Sequence, residues 1–407
     1  MSQETTKKLD LATLQSILNG DAAAIRKVTR LQPAGGPGDK VFPPTYEKGT
    51  YATETRVMDG QRVECVILDS VQSQANRMEM ALLEAHREKR VQVPLVTVDF
   101  NQAGLPEVGE VTSLEAPHRL ADAILRDGLS GGQRFRLTAE GKELDSASVS
   151  NATGLFGLCP TGLVLGLWDS TGPRGGLGTK FQRAVVSEVF GVDCVVGRRQ
   201  SSRIDPLGIQ LNAGPLYVSA ADEQDWTRDE GKAKRDSKGK AVKVGKEGKP
   251  SEANHGNVTP TIEDGGVTMT HARQSVVLSL PALRRLRFPV DNKVTVDRDN
   301  AARTCLAALA LCAATLSHAK GMDLRSRCLL VPEPGQGGWE VVGGDGQVTT
   351  FSLTASEACD LLKEAVAAAK TQQLPWREQP LTLKPSPGLV ELVKKSRELA
   401  MQSSAEE

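Results

Sequence analysis

Residues 62–85 read RVECVILDSVQSQANRMEMALLEA, and this stretch decides the fold class. Arg62–Leu68 reads as a strand. A helix follows at once, starting near Asp69–Ser73, where aspartate and serine are good caps. Met78, Leu82 and Leu83 supply its apolar face. A strand running straight into a helix points to βα units in a mixed α+β chain. Ser70, Gln72, Ser73, Asn76 and Arg77 crowd the first turns of that helix with neutral donors and one cation. Those groups suit a phosphodiester or a ribose; the plain alternative is a polar helix entry with ordinary capping.

Downstream lies WDSTGPRGGLGTKF, Trp168–Phe181. The apolar run Leu163–Leu167 before it predicts a buried strand. Ala184, Val185, Val189 and Phe190 after it fit one face of a helix over Gln182–Phe190. Glycines at 172, 175, 176 and 178 open turn conformations closed to other residues. Loop amides at a helix N-terminus, with Arg174, Lys180 and Arg183 nearby, would seat an anion. The order is not that of a P-loop, because Thr179 precedes Lys180 and Phe181 follows it. The G-x-G-x-x-G dinucleotide pattern is also absent.

The totals bound the rest. The 407 residues carry 50 basic and 50 acidic side chains, so net charge alone implies no polyanion partner and local distribution matters more. Aromatics make up only 4%, too few for extensive base stacking. Seven cysteines, none in a CxxC pair, read as buried thiols of a reducing cytoplasm, with neither a disulfide framework nor a zinc site. The N-terminus lacks an apolar signal core, and no segment reads as spanning a bilayer. The expectation is a cytoplasmic protein without membrane contact.

Elsewhere, Leu9–Arg30 has helical spacing, with a second helical segment around Ile25. Gln32–Tyr46 (QPAGGPGDKVFPPTY) is broken by prolines and glycines and reads as an extended arm. Leu95–Phe100 is a strand, Leu114–Arg126 an amphipathic helix, and Val192–Val196 a strand. GRRQSSRIDP, with Arg198, Arg199 and Arg203, reads as a basic loop. Lys232–Lys249 holds eight Lys and Arg residues against Asp236 and Glu247. It cannot pack a core by itself; it reads as a flexible basic hairpin or arm that would attract nucleic acid without regard to sequence. In Leu283–Phe288 (LRRLRF), Arg284, Arg285 and Arg287 interleave with apolar anchors. As a strand it would set Arg285 and Arg287 on one face. Ala301–His318 is the clearest buried helix; short strands and two further helices follow.

No catalytic constellation stands out. The five histidines form no H-x-x-x-H or H-E-x-x-H pattern, so no metal site is expected. No G-x-S-x-G element occurs. His255, in a glycine-bearing loop beside the basic run, could act as general base for RNA cleavage at a 2′-hydroxyl. That keeps an endoribonuclease open as the alternative to a binding protein.

Several segments together resemble one family: LQPAGGPGDKVFPPTY, LDSVQSQANRMEMALLEA, LWDSTGPRGGLGTKF, SSRIDPLGI, KPSEANHGNVTP and LSLPALRRLRFPVD. In order, from about residue 10 to about residue 370, the chain resembles the Cas-seven-type backbone subunit of a type I-G (formerly I-U) CRISPR effector, or Cascade, complex. The resemblance implies a modified RNA-recognition-motif palm (ferredoxin-like, RAMP-type) with inserted finger and thumb elements. It implies no enzymatic activity and no cofactor. Copies would polymerise head to tail along one guide RNA and present it to target DNA in antiviral defence, beside a large subunit and a capping or processing subunit. No RNP-type aromatic motif is visible, which fits binding through the sugar–phosphate backbone.

The implied layout is an N-terminal helical segment and arm over 1–60 and a first palm part over 61–200. A basic thumb- or finger-like insertion spans 201–265, the rest of the palm 266–375, and a C-terminal helix and tail 376–407. The RNA contacts implied are Ser70, Gln72, Ser73, Asn76 and Arg77 first, then Arg174, Lys180 and Arg183. Arg284, Arg285 and Arg287 would line the same groove or pair with acids between subunits. Arg198, Arg199, Arg203 and the lysine-rich arm would touch guide or target, and His255 and Asn257 would contact RNA by hydrogen bonds.

Overall fold

The computed structural model describes residues 7–172 and 178–406. The chain forms two compact units: Met1–Val195 with Val267–Val390, and Val196–Gly266 with Glu391–Glu407.

The first unit is built on one large sheet. Helix α1 (Leu11–Asn19) is capped by the Asp10 carboxylate on the Thr13 amide. Strand β1 (Ala24–Pro33) follows, then the hairpin of β2 (Thr53–Met58) and β3 (Gln61–Asp69), then helix α2 (Val71–Arg87). Strand β4 is Val185–Arg203 and β5 is Val258–Ser279. Helix α3 (Val296–Ser317) leads to β6 (Cys328–Pro332), β7 (Trp339–Val342), β8 (Val348–Ser352) and helix α4 (Ala355–Thr371). The sheet order is β8-β7-β1-β5-β4-β3-β2. β5 and β7 both run antiparallel to β1, and so does β6, which takes the far end of the same edge at Leu31–Pro33.

Alternation along the central strands explains the layering. In β1, Ile25, Thr29 and Leu31 are buried while Ala24, Arg26, Val28 and Arg30 are partly or fully exposed. In β5, Ala272, Gln274, Val276 and Leu278 are buried, and Arg273, Ser275 and Val277 face outward. One face of this part of the sheet therefore packs on the core and the other is half solvated. On the half-solvated face Arg26 pairs with Glu340 at 2.6 Å and Arg30 with Glu333 at 3.1 Å. Arg56 pairs with Glu54 and Glu188 and lies over the buried Phe190 ring. Helix α3 is long and apolar enough to cross a bilayer by length and composition, contrary to the sequence expectation, but most of it is buried inside the protein. All seven cysteines are free thiols, six of them buried.

The second unit contains the antiparallel pair Tyr217–Val218 and Trp226–Thr227 and a run of turns. The lysine-rich segment is folded there, not a loose arm. The amides of Lys246, Glu247 and Lys249 all donate to the Glu252 carboxylate, and these bonds hold its pKa below the usual range. Leu216 and Ala233 are buried. Lys234 pairs with Glu223 at 2.8 Å, and Lys249 with Glu247.

Several sequence expectations are corrected. Leu163–Leu167 is not a strand: Pro160–Leu165 is helical and only Leu167–Trp168 is extended. Pro160 sits in the first turn of that helix, where its missing N–H costs nothing. The segment expected as a helix over Gln182–Phe190 belongs mostly to β4. Val185, Ser187 and Val189 are buried and Val186 exposed, which is the period of a strand. GRRQSSRIDP continues β4 to Arg203 and is no loop. The region of Ile25 is β1, not a helix. Leu114–Arg126 breaks into the turns Arg119–Ala121 and Ala123–Arg126. Leu283–Phe288 is not a strand; Pro281 and the Ser279 cap start the helix Leu280–Arg284 instead.

Candidate nucleic-acid interface

The start of α2 is fixed from beneath. Asp69, the last residue of β3, has no exposed surface. Arg77 Nε donates to its Oδ2 at 2.9 Å and Gln74 Nε2 to the same oxygen at 2.6 Å. Arg325 stands 3.8 Å from Oδ1. Gln74 Oε1 accepts from Ser187 Oγ on β4 (2.8 Å) and from Gln274 Nε2 on β5 (2.9 Å). Arg77 also donates to the carbonyls of Asp323 (3.0 Å) and Leu324. A buried carboxylate needs such partners, and here they bolt α2 to three strands.

This network sorts the first-turn residues. Ser70 is the N-cap, its hydroxyl accepting from the Ser73 amide at 3.3 Å. Arg77, expected to contact an RNA backbone, is tied into the structure by its bonds to Asp69, Asp323 and Leu324. Gln72 and Asn76 are exposed and Ser73 is half-buried. Ser73, Asn76 and Arg77 border a cavity of about 340 Å³ that reaches Gln274, Ser317 and His318. Burial pushes the His318 imidazole down to about 4, with Lys27 adding repulsion, so it is neutral at pH 7. The sequence reading missed Gln74 and Asp69 as the organisers; a carboxylate at the end of an apolar strand, ahead of Gln and Arg at helical spacing, is the signal that was there to find.

The two ends of the glycine loop pair with each other as antiparallel strands, and no helix follows it. Trp168 and Lys180 are register partners in the antiparallel pair Leu167–Trp168 and Lys180–Phe181. The Asp169 amide donates to the Thr179 carbonyl at 2.9 Å. The buried Asp169 carboxylate accepts from Arg136 at 2.7 Å and from the Thr171 amide at 3.2 Å. Arg119 grips the buried Glu79 carboxylate at 2.7 and 2.9 Å and donates to the Gly166 carbonyl at 2.9 Å, tying α2 to the loop's base. The expected helix after the loop is not there, because the chain runs into Lys180–Phe181 and then β4. Arg174 lies outside the described residues. Lys180 is exposed, 5.4 Å from the Trp168 ring centroid. Arg183 is exposed, and partial burial followed by repulsion from Arg119 lowers its pKa.

The 284–287 arginines separate. Arg284 donates to the carbonyls of Leu18 (2.9 Å) and Ile17 (3.2 Å), capping the end of α1. Arg287 donates to the carbonyls of Arg284 and Leu286 and lies 3.5 Å from Asp299. Arg285 is exposed and has no ion-pair or hydrogen-bond partner among the described residues. It shares with Lys180 a cleft of about 290 Å³.

In the second unit Arg198 pairs with Asp264 at 3.2 Å and Arg199 with Glu263 at 2.8 Å, all of them exposed. Arg203 is exposed. Asn257 Oδ1 accepts from the Asp205 amide at 2.7 Å, so its carbonyl end is occupied. His255 is half-buried, edge-on to Trp226 with ring centroids 5.7 Å apart. Among the described residues no group of three or more His, Cys, Asp or Glu side chains is arranged to hold a metal ion.

The sequence expectations thus resolve into two first-unit patches, one at α2 and one at Lys180 and Arg285, and a separate second-unit set. A family model described as CRISPR-associated protein GSU0053 matches residues 25–196. No curated protein matches the chain. Eleven chains of solved structures do. One is the crystal structure of Thermofilum pendens Csc2, at 14% identity over 96% of this chain and 79% of that one, with a TM-score of 0.28. Another is titled as a CRISPR RNA-guided surveillance complex, pre-nicking, at 12% identity over 92% of this chain and 99% of that one, with a TM-score of 0.33. The family match runs from β1 into β4 and includes the entry to α2 and the glycine-rich loop.

Proposed function

We propose that this chain is a non-enzymatic backbone subunit of a CRISPR effector, binding guide RNA along its sugar–phosphate backbone. Copies assemble head to tail on the guide in the cytoplasm and leave its bases free to pair with target DNA in antiviral defence. A large subunit and a capping or processing subunit complete the complex. The strand sequence β1, α2, β4, β5, α3, β7 with sheet order β7-β1-β5-β4 supports an RNA-recognition-motif palm, whose four strands follow the order fourth-first-third-second. On that reading residues 88–184 hold the finger, and residues 204–257, between β4 and β5, hold the thumb.

The observation that carries the proposal is the entry to α2. The buried Asp69–Gln74–Arg77 network holds exposed, uncharged Gln72 and Asn76 in fixed positions. Neutral donors of this kind grip phosphate and ribose oxygens and carry no sequence information. The experiment is binding of guide-length RNA to the wild type and to a Gln72→Ala, Asn76→Ala double variant across a salt series. The wild type should bind with affinity falling steeply as salt rises. The variant should bind about 5- to 100-fold more weakly, at about one hydrogen bond's worth of energy per side chain, with unchanged melting. Equal affinity would remove α2 from the interface.

A further inference from the structure

Trp168 has 56% of its surface exposed, although an indole is among the largest apolar groups a chain can bury. Its neighbours explain how it is held but not why it is outside. Lys180, its register partner, places Nζ over the ring at 5.4 Å from the centroid, a cation–π contact that steadies the indole. Asp169, the next residue, is buried and anchored to Arg136, so the backbone beneath the indole is fixed. Lys180 also borders the cleft of about 290 Å³, which Leu163, Phe181 and Leu286 line with apolar surface and Arg285 with a second cation. No aspartate or glutamate lines that cleft. Neither cation has an ion-pair partner among the described residues.

We propose that Trp168, Lys180 and Arg285 form a base-stacking station for single-stranded nucleic acid. A nucleobase stacks on the indole face that Lys180 leaves open, and the adjoining phosphates lie against Lys180 and Arg285. The inference rests on the nucleic-acid reading above and adds an element it lacked, a contact to a base's π-face. The chemistry selects this occupant over a protein surface. A cleft with two uncompensated cations and no carboxylate matches a polyanion, and an exposed aromatic ring flanked by cations is the recurring platform for unpaired bases. Because every base has such a face, the contact is indifferent to sequence.

The test uses the full chain and fluorescently labelled oligonucleotides of about ten nucleotides, within the span such sites cover. One carries bases and the other is abasic with the same number of phosphates; the base-bearing strand is supplied as RNA and as DNA. Trp168→Ala should weaken binding of the base-bearing strand by about 5- to 150-fold and leave the abasic strand's affinity unchanged. Trp168→Phe, which keeps a ring, should retain most of the affinity. Lys180→Gln with Arg285→Gln should weaken both strands and lower the salt slope. Whichever of RNA or DNA shows the larger Trp168 effect is the strand the station serves. Wild-type affinity in Trp168→Ala would overturn the station while leaving guide binding standing. Loss of self-association without RNA in that variant, with strand binding intact, would make the patch a protein contact and overturn it equally. If the wild type binds neither strand, the guide-binding reading itself fails and takes the station with it.

Discussion

A carboxylate with no exposed surface decides what Arg77 does. In the sequence Arg77 is the one cation among five polar residues, and it reads as the group that would meet a phosphate. In the structure its guanidinium is spent on Asp69 and on the carbonyls of Asp323 and Leu324. The neutral neighbours Gln72 and Asn76 are left to face solvent. His318, at the end of α3 on the same cavity, makes a titratable prediction. Burial takes its pKa from 6.5 to about 4. The unfolded chain therefore takes up this proton first, so the stabilising contribution is full above about pH 6.5 and is lost as pH falls toward 4. Between pH 7 and pH 5 this group alone should cost about 2 kcal/mol. Urea melts of the wild type and His318→Phe at the two pH values check it: the variant should lose less stability on acidification, and an equal loss would place the acid sensitivity elsewhere. The residue types of the α2 entry were legible, and so was its cap. The inward turn of Arg77 was not, because its carbonyl partners lie some 246 residues away in sequence.

At the scale of elements, short apolar runs were the hardest to read. Leu163–Leu167 is as apolar as a buried strand, yet it is mostly the end of a helix whose Pro160 start lies outside the run. Over 184–190, apolar residues at 184, 185, 189 and 190 satisfy a helical spacing and an alternating one alike. Pairing with β3 and β5 settles it as a strand, and that pairing is tertiary. The long helices α2 and α4 were legible nearly end to end, and α3 was legible except for its first turn and Thr295 cap. The long strands also change how the basic run is understood. Arg198 and Arg199 on β4 are met by Asp264 and Glu263 on β5, so the stretch that reads as bare positive charge is locally balanced. Exposed pairs of this kind are worth roughly 0–1 kcal/mol each. Glu263→Gln with Asp264→Asn should leave melting within about 1 kcal/mol of wild type. It should also raise RNA affinity and steepen its salt dependence by freeing two guanidinium groups. Filter binding at several salt concentrations reads this; an unchanged slope would take these arginines out of the nucleic-acid interface.

For the whole molecule, a formal net charge of zero conceals an uneven surface. On the half-solvated sheet face Arg26, Arg30 and Arg56 pair with glutamates, and the Phe190 ring is buried beneath Arg56. Stacking on that face, the usual device of an RNA-recognition sheet, has no exposed aromatic to work with among the described residues of these strands. On the proposed function, each copy therefore grips a fixed length of guide by its backbone. Light-scattering mass measured with guide RNAs of increasing length tests it most directly. The protein-to-RNA ratio should climb in regular steps with RNA length and collapse at high salt; one copy per RNA at every length, or a mass indifferent to RNA, would rule out such a grip.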